Sequence, residues 1–412
     1  MKTASRGRRC LLAVALAMPV TGLAIDPDPS PVLRWPEVAA AVDRHPLLLE
    51  AAARERGAAG AVSSAGAIPN PVFGAAVGTG RPRDGGASRQ ELGYSVELPL
   101  DFLATRGHRV AAARAAQEGT RQDARAVRAQ VARELRRTFV AAVHGQAVVE
   151  TGEELAGQAA QLAALVGKRA DRGEGRPTEV ARVEIELLRL RNAVERARAA
   201  AEAQRLRLAA WLGTPVGRVE ADLAAPLPLP ALPELQEQVL ASSPVVQASR
   251  ARLQAASEEA SAERWDRVPK FSLGAAHVEE VDRTASTLTA NVTLPLWNWN
   301  QGKVRQAEAA EAGERARLDA TSRELTAGLS DAWRGCAAGQ AASRRFREEI
   351  LPRAEGSART LGRAFELGEA GLLDVIDARR VLLDTRREYL DLLLDMQNAC
   401  GDLAALAGLE LP

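Results

Sequence analysis

The chain is poor in the residues on which most chemistry depends. Its 412 residues include only three Cys, three Met and four His. His45, His108, His144 and His277 lie in separate segments, none with a partner at ligand spacing, so neither a zinc-type motif nor a soft-metal site can be assembled. Each His is read as a surface or packing residue. The acidic residues fall mainly on helix faces at i, i+4 distances, where they pair with basic neighbours rather than converge in a pocket. No catalytic, cofactor-binding or metal site is therefore expected. A secreted hydrolase would need a nucleophile or a carboxylate pair, and neither stands out.

Aromatic residues make up 3% of the chain against 46% hydrophobic, so the apolar content is mostly Ala, Leu and Val. That mix suits long, closely packed helices better than one large globular core. Beyond the N-terminus no continuous apolar run reaches the about 18 residues that a transmembrane helix requires. Any membrane crossing must then be made by strands. Charge of one sign is also missing: the formal net charge is +1, which makes no electrostatic case for nucleic acid.

Residues 1–24 carry an export address. Lys2, Arg6, Arg8 and Arg9 precede the apolar LLAVALAMPV, and Gly22-Leu23-Ala24 supplies small residues for cleavage. Removing those four basic residues takes the net charge from +1 to −3. Cys10 precedes the apolar stretch instead of following it, so no lipid anchor is expected.

The remainder repeats itself. LGYSVELPLDFLATRG (92–107) returns as LTANVTLPLWNWNQG (288–302), each an alternating run followed by Leu-Pro-Leu and a Gly. Pro36-Glu37 and Pro46 recur as Pro233-Glu234 and Pro244, Pro71 as Pro269, Gly173 as Gly368, and Leu212-Gly213 as Ala407-Gly408. A tandem duplication results, with copies at 25–223 and 224–412, each far longer than the roughly 20–50 residues of a solenoid repeat. The Pro-rich AAPLPLPALP (224–233) joins the copies.

Each copy reads as a helix of about 30 residues, two strands, a helix of about 60, a Gly turn and a last helix of about 35, with the 3/4 spacing of a coiled coil. Val180, Val183, Leu187, Leu190, Val194, Ala197 and Ala201 set the seam of the first copy, and Val375, Ala378, Leu382, Thr385, Tyr389, Leu392 and Met396 that of the second. At 1.5 Å per residue a 60-residue helix spans about 90 Å, of little use to a compact enzyme. Gly173 and Gly368 terminate the long helices, and Pro177 opens the next. Within Thr287–Leu294 apolar and polar residues alternate strictly, one face for lipid and one for water, and Trp297 and Trp299 follow where an interfacial girdle belongs. Four strands cannot close a barrel, so several chains must cooperate. Three would supply twelve strands.

NPVF and VPKF before the first strands, VELPL with RGHRVAAARAA and VTLPLWNWNQGKVRQAEAA after the second, and FELGEAGLLDVIDARRVLLDTRREYLDLLLDMQNACGDLAALAG together resemble the TolC-like outer-membrane efflux proteins, over nearly the whole mature chain. LPLWNWNQG and the last segment are most similar to the branch serving heavy-metal exporters of the cobalt, zinc and cadmium type. The resemblance implies a mainly α chain with a membrane β-barrel portion. A homotrimer would form a 12-stranded barrel in outer-membrane lipid above a 12-helix periplasmic tunnel. Its implied function is a passive duct in a tripartite efflux system, with a periplasmic adaptor and an inner-membrane pump of the resistance-nodulation-division type as partners. The alternative is a periplasmic adaptor or coiled-coil scaffold, which would carry one hairpin between β-rich half-motifs rather than two full copies.

By the same resemblance Asp374 and Asp377, with Glu179, Thr178 and Phe365, line the pore entrance, and Gly173, Leu367 and Gly368 form the tips that meet the adaptor. Ala370 stands where a basic residue often sits, so closure is expected to rest on Phe365, Thr178 and Glu179 rather than on an arginine. Cys336 and Cys400 lie at similar heights above the second tip. They are either bonded or, as expected here, two buried thiols on different seams, since Cα atoms beyond about 7 Å cannot be bridged.

Overall fold

The computed structural model describes residues 32–409; the export segment 1–24 lies outside them. The first copy comprises α1 (Trp35–Ala40), α2 (Pro46–Gly66), β1 (Val72–Gly80), β2 (Arg89–Pro99), α3 (Arg106–Asp171) and α4 (Pro177–Leu212). The second repeats the order as α5 (Leu232–Ser242), α6 (Pro244–Trp265), β3 (Lys270–Glu279), β4 (Thr284–Thr293), α7 (Gln301–Arg345), α8 (Leu351–Leu367) and α9 (Leu372–Ala407). α3 has 66 residues and so runs about 100 Å.

The opening helix of each copy is not the single unit expected. Pro46 and Pro244 sit at the first position of α2 and α6, and a residue before proline is driven out of the helical region. His45 (ψ 137°) and Ser243 (ψ 125°) are extended accordingly, splitting each helix in two. A second departure lies in the long helix of copy two, where a π-helical turn at Phe346–Ile350 separates α7 from α8. Pro352, just inside α8, supplies the reason: its ring would strike the carbonyl four residues back, and the wider turn makes room.

The four strands form one antiparallel sheet in the order β1-β2-β3-β4, so the two hairpins of the duplication meet at β2–β3. Register places Phe73 beside Val96, Val96 beside Ala275, and Ala275 beside Leu288; one row up, Ala75, Tyr94, His277 and Ser286 align. That face carries the exposed Phe73, Val77, Tyr94, Val96, Phe271, Leu273, Leu288 and Val292. The opposite face holds Gly74, Ala76, Ser95, Ala276, Thr287, Thr289 and Asn291 and is mostly small or polar, with Val72 and Val278 towards its ends. Side chains alternate across a strand, so a single register assigns every residue its face. β1 and β4 leave their outer edges without a partner strand among the described residues.

The main core sits partway along the helices, where α1, α5 and the joint between the copies wrap them. Val38, Leu135, Phe139, Leu208, Leu235, Val239, Leu329, Met396 and Leu403 are buried there. The Pro-rich joint is packed rather than loose. Gln397 donates to the Leu223 and Ala225 carbonyls at 2.9 and 3.2 Å, Gln340 to that of Leu227 at 2.9 Å, and Trp333 Nε1 to that of Pro230 at 2.9 Å. In this core Cys336 of α7 and Cys400 of α9 form a disulfide, which corrects the expectation of two separate thiols. Their Cα atoms are 4.7 Å apart, well inside bridging distance. Equal height on antiparallel helices is visible in the sequence, but the rotation of each helix that turns both cysteines into one seam is not.

Candidate functional site: the helical tips and the sheet wall

Both tips are built alike. Gly173 and Gly368 adopt left-handed φ of 76° and 80°, open to residues without a Cβ at little cost. Glu174 N donates to the Arg169 carbonyl at 2.9 Å and Glu369 N to that of Ala364 at 2.8 Å, closing the helix ends where the glycines predict them. α4 then starts at Pro177, its Glu179 carboxylate accepting from Arg176 N at 3.3 Å, and α9 at Leu372, its Asp374 carboxylate accepting from Gly371 N at 3.1 Å. Asp374 thus has a local task at the start of its helix. Leu367 projects from the tip with 75% of its surface exposed.

Asp374 and Asp377 line one open groove of about 510 Å³, together with Leu373 and Arg380 of α9 and Arg182, Glu186 and Arg189 of α4. The groove joins the two copies. Thr178 is exposed one turn away, and Phe365 is not at the surface. It is buried among Leu162, Val166, Val183, Leu372 and Val375 in the cluster that holds the tips together.

The main residue that the sequence does not single out is Arg169. Its guanidinium stands 4.9 Å from the centre of the Phe365 ring and donates to the carbonyls of Phe365 at 3.2 Å and Glu366 at 2.9 Å. A cation there meets the last carbonyls of α8, that of Phe365 accepting from Gly368 N as well, and the negative end of the helix. An arginine-centred contact is present, then, but it comes from copy one. Its place at the start of the copy-one tip segment, RADRGEGRPTEV, is the only signal that could have pointed to it.

Further from the tip, α9 is tied to copy one by a ladder of arginines. Arg380 pairs with Glu186 at 3.1 Å, Arg379 donates to the Gln158 carbonyl at 2.7 Å, and Arg386 lies 2.9 Å from both Glu154 of α3 and Glu355 of α8. Burial pulls the Arg379 guanidinium below its usual value, with Glu366 opposing. Burial also acts to lower that of Arg386, but Glu355 and Glu154 outweigh it and hold its pKa above the usual value.

At the other end of the helices, Trp297 and Trp299 follow β4, 88% and 61% exposed, with Trp299 Nε1 donating to the Leu296 carbonyl at 3.1 Å. They lie at the helix-proximal border of the apolar sheet face. The four His remain in separate places: His45 stacks on Trp211, His108 meets Glu258 at 2.8 Å, His144 meets Asp391 at 2.9 Å, and His277 meets Ser286 at 2.9 Å. Among the described residues no three His, Cys, Asp or Glu side chains gather as a metal site, and no helix is long and apolar enough to cross a membrane.

Known proteins share this arrangement. Residues 38–214 and 235–409 both match the family described as outer membrane efflux protein, one match per copy. The cobalt-zinc-cadmium resistance protein CzcC of Cupriavidus metallidurans is 27% identical over 370 residues, covering 87% of this chain and 86% of that protein. Among solved structures, CusC superposes with a TM-score of 0.78 at 16% identity, covering 92% of this chain and 93% of CusC. The outer membrane protein VceC of Vibrio cholerae does so with 0.76 at 19% identity, covering 91% and 97%. The adaptor and scaffold alternative falls with these matches, because both copies are accounted for by one channel family. Four strands with one apolar face, continued by helices of up to about 100 Å packed against shorter partners, belong to that architecture, and the chain is a member of the outer membrane efflux protein family: an outer-membrane efflux channel with a periplasmic helical portion.

Proposed function

We propose that three copies of the chain close into a twelve-stranded barrel, β4 of one protomer pairing with β1 of the next, above a tunnel of twelve long helices. The observation that carries this is the sheet itself: two edges unpartnered among the described residues flank a face of exposed Phe73, Val77, Leu273, Leu288 and Val292. In lipid each unpaired backbone group costs several kcal/mol, so such edges are stable only when joined to another sheet. The apolar face then meets outer-membrane lipid, Trp297 and Trp299 mark the periplasmic border, and the small and polar face lines the lumen. The halves 25–223 and 224–412 give the trimer a pseudo-sixfold wall, with residues 1–24 as the export address.

The chain acts as a passive duct, without enzymatic chemistry of its own. Its tips at Gly173, Leu367 and Gly368 dock a periplasmic adaptor, which links it to an inner-membrane pump of the resistance-nodulation-division type. Asp374, Asp377, Glu179 and Thr178 border the entrance, and Phe365 holds the tips closed from within. Heavy-metal cations are the favoured cargo, on the strength of similarity to the cobalt-zinc-cadmium resistance protein. Selection of the metal falls to the partners, because the histidines of the described chain are dispersed.

Two experiments test this. Native mass spectrometry of detergent-extracted outer membranes should give a trimer that conducts in planar bilayers; a folded monomer from the soluble periplasmic fraction would refute the channel. Disruption of the gene should lower tolerance to cobalt, zinc or cadmium, and unchanged tolerance to all three would remove the metal assignment while leaving the duct.

A further inference from the structure

The Leu-Pro-Leu motif occurs once in each copy, and its two occurrences are held differently. The hairpins β1–β2 and β3–β4 share one register: Val72 opposes Glu97 and Lys270 opposes Thr293, each pair at the same place in its copy. Past Glu97 the first motif stays in the sheet. Leu98 and Pro99 oppose Leu273 and Ser272 of β3, and Leu100 N donates to the Phe271 carbonyl at 2.8 Å. The second motif lies beyond the end of β4 at Thr293, and Leu296 N turns back to the Leu294 carbonyl at 3.0 Å. Leu294 is 58% exposed against 36% for Leu98. What the second motif lacks is a strand in the place that β3 takes beside the first.

The β2–β3 junction shows how such a strand would sit. In the duplication β4 corresponds to β2 through the two Leu-Pro-Leu motifs, and β1 to β3 through Phe73 of NPVF and Phe271 of VPKF. Carrying the β2–β3 register over to the two free edges sets Val292 opposite Val77, Thr293 opposite Ala76, Leu294 opposite Ala75, Pro295 opposite Gly74 and Leu296 opposite Phe73. Each pair shares a face: Val292 and Val77 lie on the apolar one, Thr293 and Ala76 on the other. Proline fits as well. Leu100 and Phe271 are a hydrogen-bonded pair, so the adjoining Pro99–Ser272 pair needs no N–H towards β3, and on its other side β1 has already ended opposite Glu97. Pro295 has the same freedom, because β3 ends opposite Thr293. A slip of one residue would put Pro295 in a bonded slot and turn every β4 side chain to the wrong face.

We infer that β1 of the next protomer seats on β4 in this register, and that seating carries β4 on through Pro295 and moves Leu296 N from its own Leu294 carbonyl to the Phe73 carbonyl of the next protomer. The inference rests on the reading of the chain as a trimeric barrel and adds the residue-by-residue fit of the joint. It also sets the stagger of the ring. A row drawn across the strands passes from Phe73 through Val96 to Ala275, whose counterpart in copy one is Val77, an advance of four residues per hairpin. The six hairpins of three chains advance it by 24 residues, twice the number of strands. With about 3.4 Å per residue and about 4.8 Å between strands, the strands tilt by about 55° and the backbone ring is about 30 Å across.

Cysteine pairs engineered into the full-length chain, extracted in detergent and run without reductant, test the fit. Ala76→Cys with Thr293→Cys puts thiols on opposite edges of one sheet, about 14 Å apart at three strand spacings, so a bond between them joins two chains. In the inferred register they face each other as a pair without hydrogen bonds, about 4.5 Å between Cα atoms, and should give reductant-sensitive covalent trimers. Ala76→Cys with Asn291→Cys is two residues out of step, about 8 Å apart, and should cross-link roughly tenfold less. Ser95→Cys with Ala276→Cys, opposed within one chain, is the control and should bond without joining chains. By hydrogen-exchange mass spectrometry the Leu296 amide of the trimer should exchange as slowly as that of Leu100. A stronger link through Asn291→Cys overturns the register and leaves the barrel standing. So do trimers by native mass spectrometry in which Thr293→Cys fails to link while the control bonds. Fast exchange at Leu296 overturns the extension of β4. Monomers by native mass spectrometry, with neither pair linked between chains, overturn the trimeric reading itself.

Discussion

Removing the bond between Cys336 and Cys400 is expected to weaken the channel through its unfolded state. The bond closes a segment of 64 residues that contains the lower part of α7, all of α8, the tip and most of α9. In the chain-entropy picture a loop of that length restricts the unfolded ensemble by about 4 kcal/mol. Spread over an unfolding transition of this size, at about 2.1 cal/mol/K per residue, that corresponds to a fall of about 5 °C in melting temperature. Cys336→Ala with Cys400→Ala also leaves space in the main core, because both cysteines are almost fully buried there, so the double variant should fall somewhat further than reduced wild type. The assay is loss of helical circular dichroism on heating in detergent, for oxidised, reduced and double-variant protein. Thiol titration after denaturation supplies the control, with neither Cys336 nor Cys400 reacting until reductant is added. Identical melting of oxidised and reduced protein, or two reactive thiols without reductant, would refute the reasoning.

Other outcomes follow from single positions. Leu288→Arg, on the apolar face and 88% exposed, should cost about 2–4 kcal/mol near the membrane midplane and deplete heat-stable trimer, whereas Thr289→Arg on the opposite face should be tolerated. Equal yields of the two would show that the faces are assigned wrongly. Asp374→Ala with Asp377→Ala should weaken cation preference in single-channel recordings, and retention of the wild-type preference would leave both aspartates only their role at the start of α9. The bidentate Arg128 contact holds the Asp43 carboxyl below its usual value, so its small contribution to stability is present above the ordinary carboxylate range and lost as pH falls through the lowered value. Denaturation midpoints of wild type and Asp43→Asn should accordingly converge in acid; a gap that widens there would contradict the pairing.

Patterns with a short period are legible in the amino-acid order alone. Alternation in Thr287–Leu294 sets a strand and both its faces, Gly173 and Gly368 mark helix ends because only a residue without Cβ adopts their φ easily, and recurrence of the same prolines and glycines reveals the duplication. Pro46, Pro244 and Pro352 are equally visible, but 3/4 periodicity continues across them and masks the breaks they impose.

Contacts between distant segments are of another kind. Arg169 and Phe365 stand 196 residues apart, Arg136 and Gln397 261, and Cys336 and Cys400 64, and nothing in the local pattern selects one partner among many for any of them. Periodicity says which stripe of a helix is buried, not how far two stripes are rotated or slid against each other, and a helix turns by about 100° with each residue. The sequence by itself therefore determined the strands, the ends of the long helices at the tips, the order of the elements and the two faces of β4. Only packing in three dimensions decided that two cysteines meet, that an arginine of the first copy caps the end of a helix in the second, and that the long helix of the second copy is interrupted by a π-helical turn while that of the first runs unbroken.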